Sequence, residues 1–161
     1  MQYINNKFHY SPTDLILFMQ SPFASWMNRF ALKFPKETPE RDITNDLLGL
    51  LQNKGQQHEQ RQEELFKYQG LTVLKINADT TELKKQYTLD AMKNGIDVIA
   101  QAYLEHQPFF GLADFLIKVP GESIFGNYHY EVWDTKLSRK AKPEFIVQLC
   151  CYTEMLEVMQ G

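Results

Sequence analysis

Two carboxylates in the second half of the chain could bind a divalent cation, and an ammonium group stands close to one of them in the sequence. Asp134 and Lys136 stand two residues apart, so in a strand they point to the same side, although such a pair is usually a solvated ion pair. Asp114 interrupts the otherwise apolar run 111–117, where a carboxylate without a partner is costly to bury. If the two aspartates lie on neighbouring strands, their carboxylates meet, and paired carboxylates are ligands for hard divalent cations.

A histidine in the first half is a weaker candidate for the same site. A stripe with helical spacing is expected to face the protein, and its members are Leu47, Leu51, Gly55, His58, Gln62 and Leu65. A single histidine on an inward face is more often a hydrogen-bonded core residue than a metal ligand. Gln148 and Tyr152 lie four residues apart in the last predicted helix and share a face, which alone indicates no particular chemistry.

The elements that hold these residues follow from capping residues, prolines and hydrophobic spacing. Ser11, Pro12 and Asp14 are typical of a helix start, and Pro22 restarts a helix after Ser21. Helices are predicted over about 12–20, 21–32, 44–68, 80–93 and 144–161, and strands over about 71–76, 96–104, 109–119 and 128–137.

These elements predict one α/β or α+β domain, in which helices flank a central mixed β-sheet. A length of 161 residues corresponds to about one domain. Residues 1–70 are expected to be mainly helical, and 71–161 to form the sheet core and a C-terminal helix. Because the last helix has no stop signal, we expect the chain to be part of a longer protein.

Composition and charge narrow the classes of protein further. The chain is 43% hydrophobic and 23% charged, which excludes general disorder. No apolar run suits a membrane helix and the N-terminus lacks a secretory signal, so we expect a cytoplasmic protein without a membrane partner. The net charge of −3 gives no signal for nucleic acid. Residues 136–142 nevertheless contain four cations and no acid, as a phosphate-binding loop or an ordinary solvated loop would.

Four short motifs occur in an order that is more specific than any one of them. They are Gly-x-x-His at 55–58, Gly-x-x-Asp at 111–114, Asp-x-Lys at 134–136 and Gln-x-x-x-Tyr at 148–152. In this order they resemble the RecB-like branch of the PD-(D/E)XK nuclease superfamily, and residues 10–29 look like the opening of bacterial nucleases of that branch. The resemblance implies a restriction-endonuclease-like core with an extra N-terminal helical segment. It also implies ribonuclease-H-like or helicase domains elsewhere in the same protein.

The resemblance also implies roles for single residues. His58, Asp114 and Asp134 would be ligands of Mg²⁺ or Mn²⁺, with the carbonyl oxygen of Thr135 as a further ligand. An imidazole ligand shifts the preference toward Mn²⁺. Lys136 would orient the attacking water or stabilise the charge that develops on phosphorus.

Four further residues would act on the nucleic acid. By the same resemblance, Gln148 and Tyr152 would position the DNA backbone or support the lysine. From the local charge of 136–142, Arg139 and Lys140 would contact phosphates if the loop is not simply solvated. The sequence therefore predicts a metal-dependent deoxyribonuclease that acts on single- or double-stranded DNA. The alternative is the same fold without catalysis, as a DNA-binding or scaffold module.

The cysteines depart from the pattern of many relatives, which hold an iron–sulfur cluster with four thiolates. This chain has only Cys150 and Cys151, and two adjacent thiols cannot form a four-thiolate site. Ser21 stands about where the first of the four cysteines would be expected. We therefore expect no iron–sulfur cluster, and we interpret both cysteines as small apolar residues on a buried helix.

Overall fold

The computed structural model describes residues 1–39, 46–136, 138 and 140–161, and the side chains of 46–53 lie outside this description. The helices are α1 (Pro12–Gln20), α2 (Pro22–Lys33), α3 (Asp46–Tyr68), α4 (Thr81–Lys93) and α5 (Pro143–Gln160). The strands are β1 (Gln2–Ile4), β2 (Lys7–His9), β3 (Val73–Lys75), β4 (Val98–His106), β5 (Phe109–Ser123) and β6 (Gly126–Trp133).

The central sheet has four strands in the order β3-β4-β5-β6. β3 pairs with β4 in parallel, whereas β4–β5 and β5–β6 are antiparallel, so the prediction of a mixed sheet flanked by helices is confirmed. The strand that carries Asp114 therefore lies between β4 and β6, next to the strand that leads to Asp134.

Both faces of the sheet are covered by helices. On one face Phe66 of α3 packs with Val98, Ala100 and Phe115. On the other face side chains of α4 and α5 meet the sheet in the larger core, which includes Met92, Ile99, Leu116, Tyr152, Met155 and Leu156. Because both faces are buried, a polar side chain that points from the middle of a strand needs a partner or a cavity.

The helix starts predicted from capping residues are confirmed. The carboxylate of Asp14 accepts a hydrogen bond from the Ser11 N–H at 2.7 Å, at the start of α1. The hydroxyl of Ser21 accepts one from the Ala24 N–H at 3.1 Å, so a new helix starts immediately after α1 ends. These bonds satisfy N–H groups that have no partner within the helix.

The N-terminal region differs from the mainly helical prediction, because β1 and β2 form an antiparallel hairpin. Its turn consists of Asn5 and Asn6, which both have positive φ, at 51° and 61°. Asparagine tolerates this left-handed conformation better than most residues, so the Asn-Asn pair was the available signal for the turn.

The face of α3 that packs on the sheet also differs from the predicted stripe. Leu65, which was expected to face the protein, is 52% exposed, whereas the neighbouring Phe66 is buried. Glu63 is buried as well, three residues before Phe66. The buried face is thus rotated by about one residue, or 100°, from the prediction.

The prediction that both cysteines are buried is wrong for one of them. Cys151 on α5 is buried in the core, but Cys150 is exposed. Adjacent helical residues point about 100° apart, so one face of α5 cannot bury both thiols.

Candidate functional site

The end of β6 brings Asp134 to Asp114. The last pair of the β5–β6 ladder is Phe115 with Trp133, so the strand ends at 133 and not at the predicted 137. Beyond it the Thr135 N–H donates to Oδ2 of Asp114 at 3.0 Å, in place of a backbone acceptor. The side chain of Asp114 thereby fixes the segment that carries Asp134 and Lys136.

Asp134 is a buried carboxylate with an incomplete set of partners. Its side chain is 3% exposed, and Nζ of Lys136 lies 2.9 Å from its Oδ2. Its Oδ1 is buried and has no hydrogen-bond partner among the described residues. Burial raises the pKa of Asp134 to about 6; the bond from Lys136 opposes this shift, and the neighbouring carboxyl group of Asp114, within hydrogen-bonding reach, adds to it.

A polar cavity of about 510 Å³ lies between α3 and the sheet, next to Asp114. The described residues that line it are Gln56, Glu59, Gln60, Lys75, Gln101 and Asp114. They come from α3, β3, β4 and β5, so the cavity depends on the packing of α3 against three strands.

Glu59 is the acid of α3 that faces this cavity. Burial raises the pKa of Glu59, and the charge of Asp114 raises it further, whereas Lys75 and Lys136 lower it. These influences place Glu59 in the electrostatic environment of Asp114 and of the two lysines. The amide of Gln101 donates a hydrogen bond to its Oε2 at 2.9 Å.

His58, the predicted ligand from this helix, is half-buried and is not among the described residues that line the cavity. The rotation of the buried face of α3 explains this difference. Glu59, Glu63 and Phe66 follow helical spacing, so Glu59 points to the side that packs on the sheet. Sequence reasoning missed Glu59, although the spacing from the aromatic Phe66 could have indicated it.

Lys75 brings a cation to the same cavity from β3, at the edge of the sheet. Its Nζ lies 2.7 Å from Oε1 of Glu63, and its side chain is 52% exposed. The cavity thus combines carboxylates with an exposed ammonium group, and sequence reasoning did not select either Lys75 or Glu63.

Tyr152 supports the strand that carries Asp114. Its hydroxyl donates to the carbonyl oxygen of Leu112 at 2.7 Å and lies within hydrogen-bonding reach of Gln148. Burial raises the pKa of Tyr152, and the charges of Asp114 and Asp134 raise it further, so the phenol stays neutral. The predicted pair on α5 therefore lies close behind the aspartates.

Close packing explains why the second motif has a glycine at position 111. A Cβ added at Gly111 would lie 2.8 Å from the ring of Tyr152, closer than carbon atoms approach in proteins. The glycine at 55 is different, because a Cβ there would meet no atom within 4 Å. Two glycines of similar motifs thus have different structural surroundings.

The basic loop is described only in part. Arg139 lies outside the described residues, and Lys140 is exposed. The carbonyl oxygen of Lys140 accepts a hydrogen bond from the Ser138 hydroxyl at 2.8 Å. Nζ of Lys136 and Nζ of Lys142 lie 5.7 Å and 5.9 Å from the centre of the Phe145 ring, so two cations contact one aromatic ring at the start of α5.

The side chains around Asp134 meet some, but not all, of the requirements for binding a hard divalent cation. Within the described part of the chain, no group of three or more histidine, cysteine or acidic side chains is close enough to hold a metal ion. The two neighbouring aspartates, the orphaned Oδ1 of Asp134 and the carboxylate of Glu59 across the cavity are oxygen donors of the kind that Mg²⁺ and Mn²⁺ bind.

Comparison with protein-family models, with curated proteins and with solved structures found no significant match to this chain. In the described residues, no helix is both long enough and apolar enough to cross a membrane.

Proposed function

We propose that this chain is a divalent-metal-dependent nuclease domain of the RecB-like PD-(D/E)XK type, which hydrolyses phosphodiester bonds in DNA. The observation that carries the proposal is the buried Asp134, with Asp114 beside it, Lys136 on one oxygen and no partner on the other. A carboxylate in this position is stabilised by a cation, and the lysine alone leaves Oδ1 unsatisfied.

The sheet topology also supports this proposal. The central strands β4, β5 and β6 form an antiparallel meander, with α3 before it and α5 after it in the chain. The four motifs lie on α3, β5, the end of β6 and α5, in the order that the resemblance requires. The proposal assigns the restriction-endonuclease-like core on this basis.

In the proposed mechanism, Asp114 and Asp134 would hold the cation, with Glu59 as a third carboxylate across the cavity. When bound, Mg²⁺ or Mn²⁺ supplies positive charge for the scissile phosphate and lowers the pKa of a bound water. His58 and the carbonyl oxygen of Thr135 remain predicted ligands from the sequence. The negative charge of the site then depends on carboxylates that are ionised, which Lys136 favours for Asp134 and both Lys136 and Lys75 favour for Glu59.

Lys136 has a second role in the proposal. Its Nζ lies 2.9 Å from Oδ2 of Asp134 and its side chain is 31% exposed, so it can contact both a buried carboxylate and a phosphate at the surface. A cation that is already in place before the reaction stabilises developing negative charge without reorganisation. Lys136 would therefore orient the attacking water or stabilise the charge on phosphorus.

A DNA-binding or scaffold module without turnover is the second candidate. The observation that favours it is the lack, among the described residues, of a group of three metal-binding side chains in contact distance. Such a module would bind DNA through the basic residues of 136–142 and would not need the carboxylates.

Cleavage of end-labelled DNA distinguishes the two candidates. The unaltered chain and the variants Asp134→Asn and Asp90→Asn are each incubated with single- and double-stranded DNA. Each reaction contains Mn²⁺, Mg²⁺ or a chelator. Asp90 lies on α4 and contacts Gln86, so its isosteric variant is a matched control. We expect metal-dependent cleavage that is lost in Asp134→Asn and kept in Asp90→Asn. DNA binding without cleavage by the unaltered chain would favour the module, and cleavage by Asp134→Asn would contradict the proposed site.

A further inference from the structure

Gln101 has a left-handed backbone in the interior of a strand. Its φ is +54°, and it lies at the centre of β4, which runs from Val98 to His106. Residues other than glycine, asparagine and aspartate rarely adopt this conformation, because Cβ then crowds the backbone. Strain of this kind persists only where surrounding structure enforces it, and it clusters at functional sites.

The unusual backbone changes the face to which β4 presents its side chains. Val98 and Ala100 pack with Phe66 on the α3 side of the sheet. Ala102 and Leu104 pack in the core on the opposite side. In a regular strand all four would share one face, since alternate residues point the same way. The alternation is therefore reversed at Gln101.

The neighbouring strand reverses its alternation at the same level. The register places Gln101 opposite Asp114, between the pairs Ala100–Phe115 and Ala102–Ala113. Phe115 packs on the α3 side and Ala113 on the opposite side, although a regular strand would give them the same face. Both strands thus change face where the cavity begins.

The reversal determines where the side chain of Gln101 lies. With regular alternation residue 101 would share the face of Ile99, in the core on the side of α4 and α5. Instead it lines the cavity with Asp114, and its Nε2 donates to Oε2 of Glu59 at 2.9 Å. An amide can donate to this carboxylate without adding a charge that would compete with a cation.

We propose that Gln101 is a positioning residue, whose strained backbone and amide hold the carboxylate of Glu59 toward Asp114 for binding of a divalent cation. This inference rests on the proposed function. Gln101 does not contact the cation in this role; it acts through Glu59. Partners of this kind, one step away from the metal, typically change metal affinity by 10-fold or more when they are removed.

Mn²⁺ affinity of the full 161-residue chain, measured by titration calorimetry without DNA, tests the inference. The variant is Gln101→Gly, because glycine accepts a positive φ and removes only the side chain. We expect about tenfold weaker Mn²⁺ binding and a thermal midpoint within about 3 °C of the unaltered chain. In a Glu59→Ala background, the same change should alter the affinity less than twofold, since its partner is already absent.

Gln86→Ala is the matched control, because Gln86 donates an equivalent bond to the carboxylate of Asp90 at 2.9 Å on the exposed side of α4. It should leave Mn²⁺ affinity unchanged. If Gln101→Gly binds Mn²⁺ as tightly as the unaltered chain, or weakens it equally with and without Glu59, the inference is overturned and the proposed function stands. If the unaltered chain binds no Mn²⁺, both are overturned.

Discussion

The carboxyl group of Asp134 is held out of water between the ammonium group of Lys136 and a second carboxyl group. Its pKa of about 6 in the folded chain is above the ordinary value of 3.8. Between these two pH values the folded state binds more protons than the unfolded state. The free energy of unfolding therefore falls as pH rises through this window.

We predict that this group lowers the free energy of unfolding by up to about 3 kcal/mol between pH 4 and pH 7 when no divalent cation is present. Urea denaturation in a chelator, at four pH values, measures the effect as the difference between the unaltered chain and Asp134→Asn. Acids remote from the site titrate in both proteins and cancel, whereas Asp114 interacts with Asp134, so the difference reports the titration of the pair. A difference that is constant over this pH range would contradict the assignment of the raised pKa to Asp134.

A substitution at Lys136 can distinguish an effect on metal binding from an effect on cleavage. Lys136→Met removes the charge and keeps most of the side-chain volume, and the hydrogen bond from the Thr135 N–H to Asp114 remains. We predict that cleavage falls by about 100-fold or more, the size of effect typical for one lost electrostatic donor, while Mn²⁺ still binds. Calorimetry and a cleavage time course on the same preparations measure the two properties. Loss of Mn²⁺ binding together with cleavage would assign Lys136 a structural role.

At the scale of the elements, two glycines offer a matched pair of substitutions. Gly111→Ala places a methyl group 2.8 Å from the Tyr152 ring, which packs behind the Asp114 strand. We predict a loss of about 1–3 kcal/mol in the free energy of unfolding, as in other overpacked cores. Gly55→Ala adds a methyl group to α3 in open space and should stabilise the chain by about 0.5–1 kcal/mol.

Chemical denaturation of both variants checks this prediction. Equal effects of the two substitutions would contradict the packing of Tyr152 against Gly111. A stabilised Gly55→Ala that loses DNA binding would show that the open space beside this turn of α3 is needed by the substrate.

The sequence predicted those parts of the site that depend on local pattern. Asp114 in an apolar run and Asp134 two residues before Lys136 were expected to meet on neighbouring strands. Their carboxyl groups do meet, although Asp134 lies just beyond the end of β6. The rotation of α3 was not predicted, because Leu65 and Phe66 are both apolar and only tertiary packing decides which is buried. That rotation exchanges His58 for Glu59 at the cavity.

The reversal at Gln101 was also beyond the sequence pattern. Residues 98–104 are apolar at almost every position, as in a strand buried on both faces, so alternation carries no signal there. The left-handed conformation of a glutamine has no local sequence signature either. It depends on contacts of β4 with β5 and with α3, and Glu59 of α3 lies 42 residues before Gln101 in the chain.

For the molecule as a whole, the charge distribution predicts that DNA is bound by cations close to the proposed site and not by the net charge of the chain. The net charge is −3, so attraction must come from cations near the site, of which Lys140 and Lys142 are the exposed examples in the described loop. We predict that Lys140→Glu with Lys142→Glu weakens binding to single-stranded DNA and lowers the salt slope by about 1.4, or 0.7 for each lost phosphate contact.

Fluorescence anisotropy in a chelator, over a series of salt concentrations, measures this slope. The control is the double variant Lys67→Glu with Lys93→Glu, which makes the same charge change at exposed positions at the ends of α3 and α4. If both double variants lower the slope equally, the basic loop has no special part in DNA binding.

The measurement that tests the central claim most directly is a crystal structure of the chain with Mn²⁺, with data collected for anomalous scattering. The account predicts an anomalous peak at the carboxylate pair of Asp114 and Asp134, within about 2.3 Å of Oδ1 of Asp134, with Glu59 facing it. The peak should be absent from crystals of Asp134→Asn. A fully soaked crystal with no peak at this pair, or with the ion bound elsewhere, would contradict the proposed metal site.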